Sequence, residues 1–415
     1  MDGDLRGRAI DAEVGVVFRG TKRTGAARVL LLGGRAPATL ELARSFASAG
    51  HRVFVAESMR AHLLRGSTAV TRNYRVPAPR ADHDAGAFAE GLRDVVRKEA
   101  IDLIVPTCEE VFHVAKRLDV LAPQTRVLAM PLDELARLHS KATFIEGCAL
   151  GGERVPETER FTSVEGIEAQ VRDRGPELVL KPEFSRFAGE VVISPERTMN
   201  LAALGEVSEA RPWVVQRRLH GRTVCSFSVA HAGRLTLHSA YAMEATAGRG
   251  AAILFRPLEH PRVRDWVTRF VERESFTGQV AFDFIDVDGE GPYAIECNPR
   301  ATSGVHLFRD DPRMARAYLD PTAPCVEPHA DRVAMLLLPL LVYGGPALGA
   351  RELLSTIWRG RDVALSWRDP AAAWVQAATA GELLRRALVY RVTPLQASTL
   401  DIEWNGPRDR AADWP

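Results

Sequence analysis

The stretch Ala281-Phe282-Asp283-Phe284, followed after a short turn by Ala294-Ile295-Glu296-Cys297-Asn298-Pro299-Arg300, carries the most information about this chain. Residues 286–292 between them are rich in Asp, Gly and Pro, which predicts two short strands joined by a hairpin. Because side chains alternate faces along a strand, Asp283 points opposite to Phe282 and Phe284, and Glu296 shares a face with Asn298. Pairing of the strands therefore brings two carboxylates and an amide oxygen to one surface.

These oxygens are hard ligands, too few to enclose a metal ion alone. That pattern suits Mg²⁺, with Mn²⁺ as an alternative, because Mg²⁺ keeps water and completes its shell with substrate phosphates. Arg300 adds a fixed positive charge where a transferring phosphoryl group would lie. The competing interpretation is an ordinary surface hairpin with an acidic edge, and the rest of the chain argues against it.

Four segments resemble, in the same order, the motifs of the ATP-grasp superfamily, as in carbamoyl phosphate synthetase and biotin carboxylase. Residues 296–300 resemble its E-x-N-P-R signature. The segment Lys141-Ala142-Thr143-Phe144 resembles the first lysine segment of the family, and Leu178-Val179-Leu180-Lys181-Pro182 resembles the second. Residues 213–219, followed by Gly221, resemble its adenine hinge. The resemblance covers roughly residues 28–310.

The resemblance implies a site for ATP and Mg²⁺. It implies metal ligands at Asp283, Glu296 and Asn298, and catalytic roles for Arg300 and Lys181. The implied nucleotide contacts are Lys141, Lys181, Ser185, Arg186, Gln216, Arg218 and Leu219. Two departures stand out: the loop after Pro182 has a single glycine, Gly189, and Gln216 replaces the acidic residue that often accepts from the adenine amino group.

Lys181 supports this assignment on physical grounds. It ends an apolar strand, and a buried ammonium without an anionic partner is costly. An ATP phosphate would supply that partner. The alternative is a lysine at the end of a strand that reaches solvent.

The chain divides into four predicted parts. Residues 1–27 form a loosely held lead-in, and residues 28–131 alternate strands and helices, which predicts a doubly wound parallel sheet. Residues 132–310, opening with a helix over 132–150 that carries Lys141, form a strand-rich nucleotide domain of α+β type. Residues 311–415 form a helical C-terminal extension, closing with a strand-like alternation over 399–406.

Two acidic pairs are candidate substrate contacts. Glu109 and Glu110 follow the third strand of the first sheet, at the edge where open α/β sheets bind ligands. The alternative is that they only stabilise a helix N-terminus. Asp401 and Glu403 could receive an incoming ammonium group, or could be solvated acids beside a core aromatic residue.

Bulk composition limits the partners. The 415 residues carry a formal net charge of +1, so nothing favours a nucleic acid or an anionic membrane. Five scattered cysteines suggest neither a disulfide framework nor a zinc site. With no signal-peptide pattern and no apolar run of about 20 residues, the cytoplasm is the expected location.

The predicted function is ATP-dependent carboxylate–amine ligation through an acyl phosphate, releasing ADP and phosphate, in small-molecule biosynthesis. The expected partners are a carboxylic acid, or an enol as in mycosporine-type ligases, and an amine or amino acid; a homodimer is compatible with this. Two alternatives stay open: a phosphotransferase or carboxylase-type activity on the same fold, and a nucleotide-binding module without catalysis.

Overall fold

The structure is a computed structural model that describes residues 25–81, 85–186, 189–247, 251–309, 311–329, 333–337, 340–341 and 345–407. The predicted lead-in therefore lies outside the described residues, apart from its last three positions. Three sheets organise the described chain.

The first sheet is parallel, with the strand order β3-β2-β1-β4-β5. Its strands are β1 Arg28–Leu32, β2 Arg52–Glu57, β3 Arg72–Arg75, β4 Leu103–Val105 and β5 Arg126–Val127. Its helices are α1 Pro37–Ser48, α2 Gly86–Glu99, α3 Glu110–Lys116 and α4 Leu118–Leu121. Val29 and Leu31 pack in the cluster that contains α1, while Leu30 and Leu32 pack in the cluster that contains α2. Both faces are covered, as the predicted doubly wound sheet requires.

The prediction of a single helix over 132–150 is wrong, because the helix is interrupted at its centre. The structure has two helices, α5 Leu132–His139 and α6 Lys141–Leu150. Ser140 between them is extended, and its side chain accepts a hydrogen bond from the Thr143 amide, so it caps α6. The break places Lys141 in the first turn of a new helix.

The second sheet is antiparallel, in the order β6-β9-β7-β8. Its strands are β6 Thr158–Phe161, β7 Leu178–Pro182, β8 Val192–Ile193 and β9 Trp213–Arg217, with helix α7 Val164–Arg174 packed against them.

The third sheet has the order β14-β13-β10-β11-β12-β15-β16 and is antiparallel except for its last pair. Its strands are β10 Arg222–His231, β11 Arg234–Ala247, β12 Ala251–Pro257, β13 Gly278–Val287, β14 Gly291–Asn298, β15 Ala334–Met335 and β16 Arg361–Asp362. Helix α8 Pro261–Arg273 covers one face through Trp266 and Phe270, which contact Phe282 with ring centroids 4.9 and 4.8 Å apart. The predicted mixture of a parallel sheet and antiparallel sheets is confirmed.

The C-terminal part contains α9 Pro312–Leu319, α10 Gly345–Arg359 with a kink at Gly349, α11 Ala371–Tyr390 and α12 Pro394–Ala397. The sequence did not predict that β15 and β16 extend the third sheet. The strand-like segment predicted over 399–406 is wrong, because residues 399–402 form turns and residues 403–406 have no regular secondary structure. Ile402 and Trp404 are buried there by packing rather than by strand pairing. No described helix has the length and apolar content needed to cross a membrane.

Candidate functional site

The hairpin β13–β14 sets Asp283 directly opposite Glu296, with a bulge after Asp283. Phe282 and Phe284 on the opposite face are fully buried. Because this apolar face is held by α8, the polar face is fixed toward the interior between sheets. Asn298 follows on the same strand, and its side-chain amide donates to Glu296 Oε1 over 3.4 Å.

The two facing carboxylates repel each other. Partial burial, and then the charge of Glu296, raise the pKa of Asp283 to about 6. Two carboxylates and one amide oxygen, all hard donors, fit a divalent cation that takes its other ligands from water and phosphates. Among the described residues, no group of three or more His, Cys, Asp or Glu side chains offers a fuller metal cage.

Two buried lysines face this carboxylate pair. Lys181, on β7, donates to Gln216 Oε1 over 3.1 Å and to the Ile295 carbonyl over 3.2 Å. Lys141 Nζ lies 3.7 Å from Glu296 Oε2. Burial lowers the pKa of Lys181 to about 8, although Glu296 opposes the shift. The lysines therefore connect the second sheet to the hairpin of the third.

The predicted adenine hinge consists of β9 and the residues that follow it. Gln216 is buried, its carbonyl oxygen accepts from Lys181, and its amide donates to Thr158 Oγ1 over 2.9 Å. An adenine amino group would have to use the second lone pair of that oxygen. Arg218 donates to Ser194 Oγ over 2.6 Å, and Leu219 is half-buried.

Arg186, in the loop between β7 and β8, is bound to other parts of the chain. It forms an ion pair with Glu109 and donates to Asn405 Oδ1 over 2.9 Å and to the Trp404 carbonyl over 2.8 Å. Ser185 donates to the Pro182 carbonyl over 3.3 Å. Residues 187 and 188 of this loop lie outside the described residues. The predicted phosphate-binding loop is thus attached to the first sheet and to the C-terminal tail.

The two acids after β4 have different surroundings. Glu110 Oε1 accepts from the amides of Thr107 and Cys108 over 2.9 and 3.0 Å, so it stabilises its own helix start. Glu109 accepts from Arg186 and from the Trp404 amide, and its Oε1 lies 3.8 Å from Arg300 Nε. Burial would raise the pKa of Glu109, but Arg186 and Arg300 outweigh it and hold that pKa at about 2.

Asp401 has partners other than the ammonium group expected from the sequence. It is fully buried, its two oxygens accept from Arg386 over 3.0 Å each, and Arg35 and Ser58 also bind it. The guanidinium groups hold the pKa of Asp401 far below its usual range, although burial opposes them. Glu403 is nearer the surface and pairs with Arg80 over 2.7 Å.

Sequence reasoning missed three arginines and one histidine at these places. Arg35, Arg80 and Arg386 hold the tail acids, and Arg35 could have been noticed because it follows the Gly33-Gly34 turn at the edge of the first sheet. His139 is buried with neither ring nitrogen hydrogen-bonded, packed against Phe112 at 4.9 Å. Burial lowers the pKa of His139 to about 3, so the ring is neutral.

Comparison with known proteins gives a match by fold. No protein-family model and no curated protein matches the sequence. N5-carboxyaminoimidazole synthetase from Staphylococcus aureus, complexed with ADP, is similar in structure, with a TM-score of 0.60 and 14% sequence identity. The match covers 80% of this chain and 87% of that one.

Two ligases of known structure are similar to a comparable degree. L-amino acid ligase from Bacillus licheniformis has a TM-score of 0.56 and 14% identity, covering 74% of this chain and 79% of that one. Phosphoribosylamine–glycine ligase from Thermotoga maritima has a TM-score of 0.56 and 16% identity, covering 73% of this chain and 78% of that one. At these identities the likeness is one of fold.

Proposed function

Because this chain has the ATP-grasp fold, we propose that it is an ADP-forming ligase that joins a carboxylic acid to an amine in small-molecule biosynthesis. The acid's carboxylate oxygen attacks the γ-phosphorus of ATP, which forms an acyl phosphate and releases ADP. The amine nitrogen then attacks the acyl carbon, and phosphate leaves. The named reactions of L-amino acid ligase and phosphoribosylamine–glycine ligase support this class.

One observation carries the proposal: two buried lysines and two carboxylates converge between the second and third sheets. Lys141 lies 3.7 Å from Glu296, and Lys181 donates to the backbone beside Glu296. Cations on one side, and carboxylates that these cations only partly neutralise on the other, fit a polyphosphate with a divalent cation.

Each residue has a proposed task. Asp283, Glu296 and Asn298 would hold Mg²⁺ or Mn²⁺, and the bound ion would neutralise charge on the phosphates. Lys141 and Lys181 position the phosphate oxygens by charge-assisted hydrogen bonds. Arg300, with its planar guanidinium beside this set, stabilises charge as it develops on the transferring phosphoryl group. The protein thus acts mainly by positioning and electrostatic stabilisation.

The acceptor is proposed to bind between Arg300 and Glu109. Glu109 Oε1 and Arg300 Nε are both buried without a hydrogen-bond partner, 3.8 Å apart. A small polar group reaching this point would satisfy both atoms, which otherwise carry a desolvation cost. We assign Asp401 instead to holding the tail in place, because its oxygens are already occupied by Arg35 and Arg386.

The first test is an ADP-release screen over carboxylic acids crossed with amines, with Glu296→Gln as the inactive reference. The proposal predicts that ADP release depends on both an acid and Mg²⁺ and accelerates with an amine. An activity independent of every amine would favour the phosphotransferase alternative.

A second test traps the intermediate. With hydroxylamine in place of the amine, an acyl phosphate yields a hydroxamate in step with ADP. Formation of AMP and pyrophosphate would overturn the mechanism, because it indicates adenylation. ADP without hydroxamate would favour phosphorylation of an enol or another hydroxyl group.

A further inference from the structure

Helix α11 has an apolar face that nothing in the described chain covers. Its inner side packs against residues 63–66 of the first sheet region and contains the buried Ala372, Thr379 and Arg386. On the outer side, Trp374 is 83% exposed and Leu388 is 80% exposed. A surface helix normally places charged residues on that side.

The outer face has the spacing of a helix–helix contact. Its exposed positions include residues 374, 378, 381, 384 and 388, which are separated by steps of three or four and so form one stripe. Arg385 is the one charged residue among the exposed positions of this helix. The stripe therefore lacks the charges that would keep it in water.

Gly381 lies at the middle of the stripe. A mid-helix glycine costs about 0.5–1 kcal/mol relative to alanine. A Cβ atom at this position would meet nothing within 4 Å, so packing inside the described chain does not require the glycine. Close approach of another backbone does explain it.

We propose that the outer face of α11 pairs with the same face of a second copy of this chain, antiparallel, with the twofold axis at Gly381. Such an axis sets residues equally distant from 381 opposite each other. Ala378 then faces the partner's Leu384, and Trp374 faces the partner's Leu388. Small residues meet large ones, and the two glycines meet at the crossing. The stripe is self-complementary, which favours a second copy over an unrelated partner.

The available area fits this assignment. The four exposed large side chains Trp374, Leu384, Leu388 and Val389 offer on the order of 500 Å² of apolar surface. Ala377, Ala378 and the stem of Arg385 extend the patch toward the roughly 800 Å² that each partner of a standard interface buries. None of these residues belongs to the candidate active site, so the inference is independent of the proposed function.

The test combines oligomeric state with cross-linking of the full chain. Sedimentation equilibrium should show a dimer, and Gly381→Leu should raise its dissociation constant about 100-fold or more, because two leucines would collide at the axis. Ala380→Leu is the matched control, since it is exposed on the same helix but off the stripe. In a copper–phenanthroline oxidation, Gly381→Cys should form a disulfide-linked dimer, and Ala380→Cys should form little.

Four results would overturn the proposal. If the chain is a monomer at every concentration, a second copy does not cover the stripe. A dimer that is unaffected by Gly381→Leu and not cross-linked through Gly381→Cys places the interface elsewhere. A monomer that floats with phosphatidylcholine–phosphatidylglycerol vesicles, and loses that binding in Trp374→Glu, assigns the stripe to a membrane. A stripe that binds a hydrophobic dye only after deletion of residues 1–24 would assign it to that segment.

Discussion

Asp283 and Asp401 both lie where separate parts of the chain meet, yet the charges that surround them have opposite signs. Asp283 faces another carboxylate, Glu296, across a strand pair, and its pKa is raised to about 6. Asp401 is enclosed by Arg35 and Arg386, and its pKa is held far below the usual range. Two like charges held together mark a site that can bind a cation, whereas matched opposite charges mark a structural contact.

Lys181 and Arg300 only partly offset the repulsion between the two carboxylates of the hairpin, and an added cation would relieve the rest. The tail cluster is already neutralised, because the guanidinium groups of Arg35 and Arg386 meet the carboxylates of Asp401 and Glu57. A charge removed from the hairpin should therefore affect ligand binding, whereas a charge removed from the tail cluster should affect folding.

The largest expected effect is on activity, in Glu296→Gln. Loss of one charge from a metal–phosphate site should lower ADP release about 1000-fold, or roughly 4 kcal/mol of transition-state stabilisation. The melting temperature should change little, because relief of the repulsion with Asp283 is offset by loss of the ion pair with Lys141. Steady-state ADP release and thermal unfolding measure the two quantities.

The hairpin itself provides the control for that experiment. Glu290→Gln changes the same kind of side chain at the exposed turn, and it should leave turnover within about twofold. Near-normal turnover in a folded Glu296→Gln protein would remove Glu296 from the site.

The next effect is on stability, in Asp401→Asn. Two buried guanidinium groups would lose a charged partner, so the free energy of unfolding should fall by about 3 kcal/mol. Asp320→Asn is the control, because it breaks a surface pair with Arg316 and should cost less than about 1 kcal/mol. Urea unfolding of both variants decides. If Asp401→Asn loses turnover while its free energy of unfolding is unchanged, Asp401 belongs to the substrate site after all.

Acid should weaken this same contact. The folded-state pKa of Asp401 is depressed, so its contribution is fully present above the unfolded-state pKa of about 3.9 and declines as the pH falls below it. The stability difference between wild type and Asp401→Asn should therefore shrink between about pH 5 and pH 2. Urea midpoints measured across that range give the result. A difference independent of pH would contradict the ion-pair assignment.

The smallest expected effect concerns Arg186, which binds the loop between β7 and β8 to Glu109 and to the tail. Arg186→Lys keeps the charge but loses the fork that reaches Glu109 and Asn405 together. We expect the KM for ATP to rise about tenfold, with stability changed by less than about 1 kcal/mol. Arg211→Lys, an exposed arginine paired with Glu190, is the control. An unchanged KM for ATP in Arg186→Lys would mean that Arg186 only stabilises the contact between the loop and the tail.

The sequence alone was enough for the local features of the fold and the site. Alternating apolar and polar residues placed Phe282 and Phe284 opposite Asp283, and the structure has that arrangement. The alternation of strands and helices over residues 28–131 predicted the doubly wound sheet. These features depend on neighbours a few residues apart, which is why periodicity reports them.

Only the tertiary structure decided which acids are already paired. Arg35 and Asp401 are 366 positions apart, and Arg186 reaches Glu109 across 77 positions, so no local pattern could relate them. For the same reason the alternation over 399–406 resembled a strand, although Trp404 is buried against Phe112 and its neighbours without strand pairing. Alternation of apolar and polar residues indicates which side chains are buried. It does not indicate which distant surface they pack against or which distant charge they pair with.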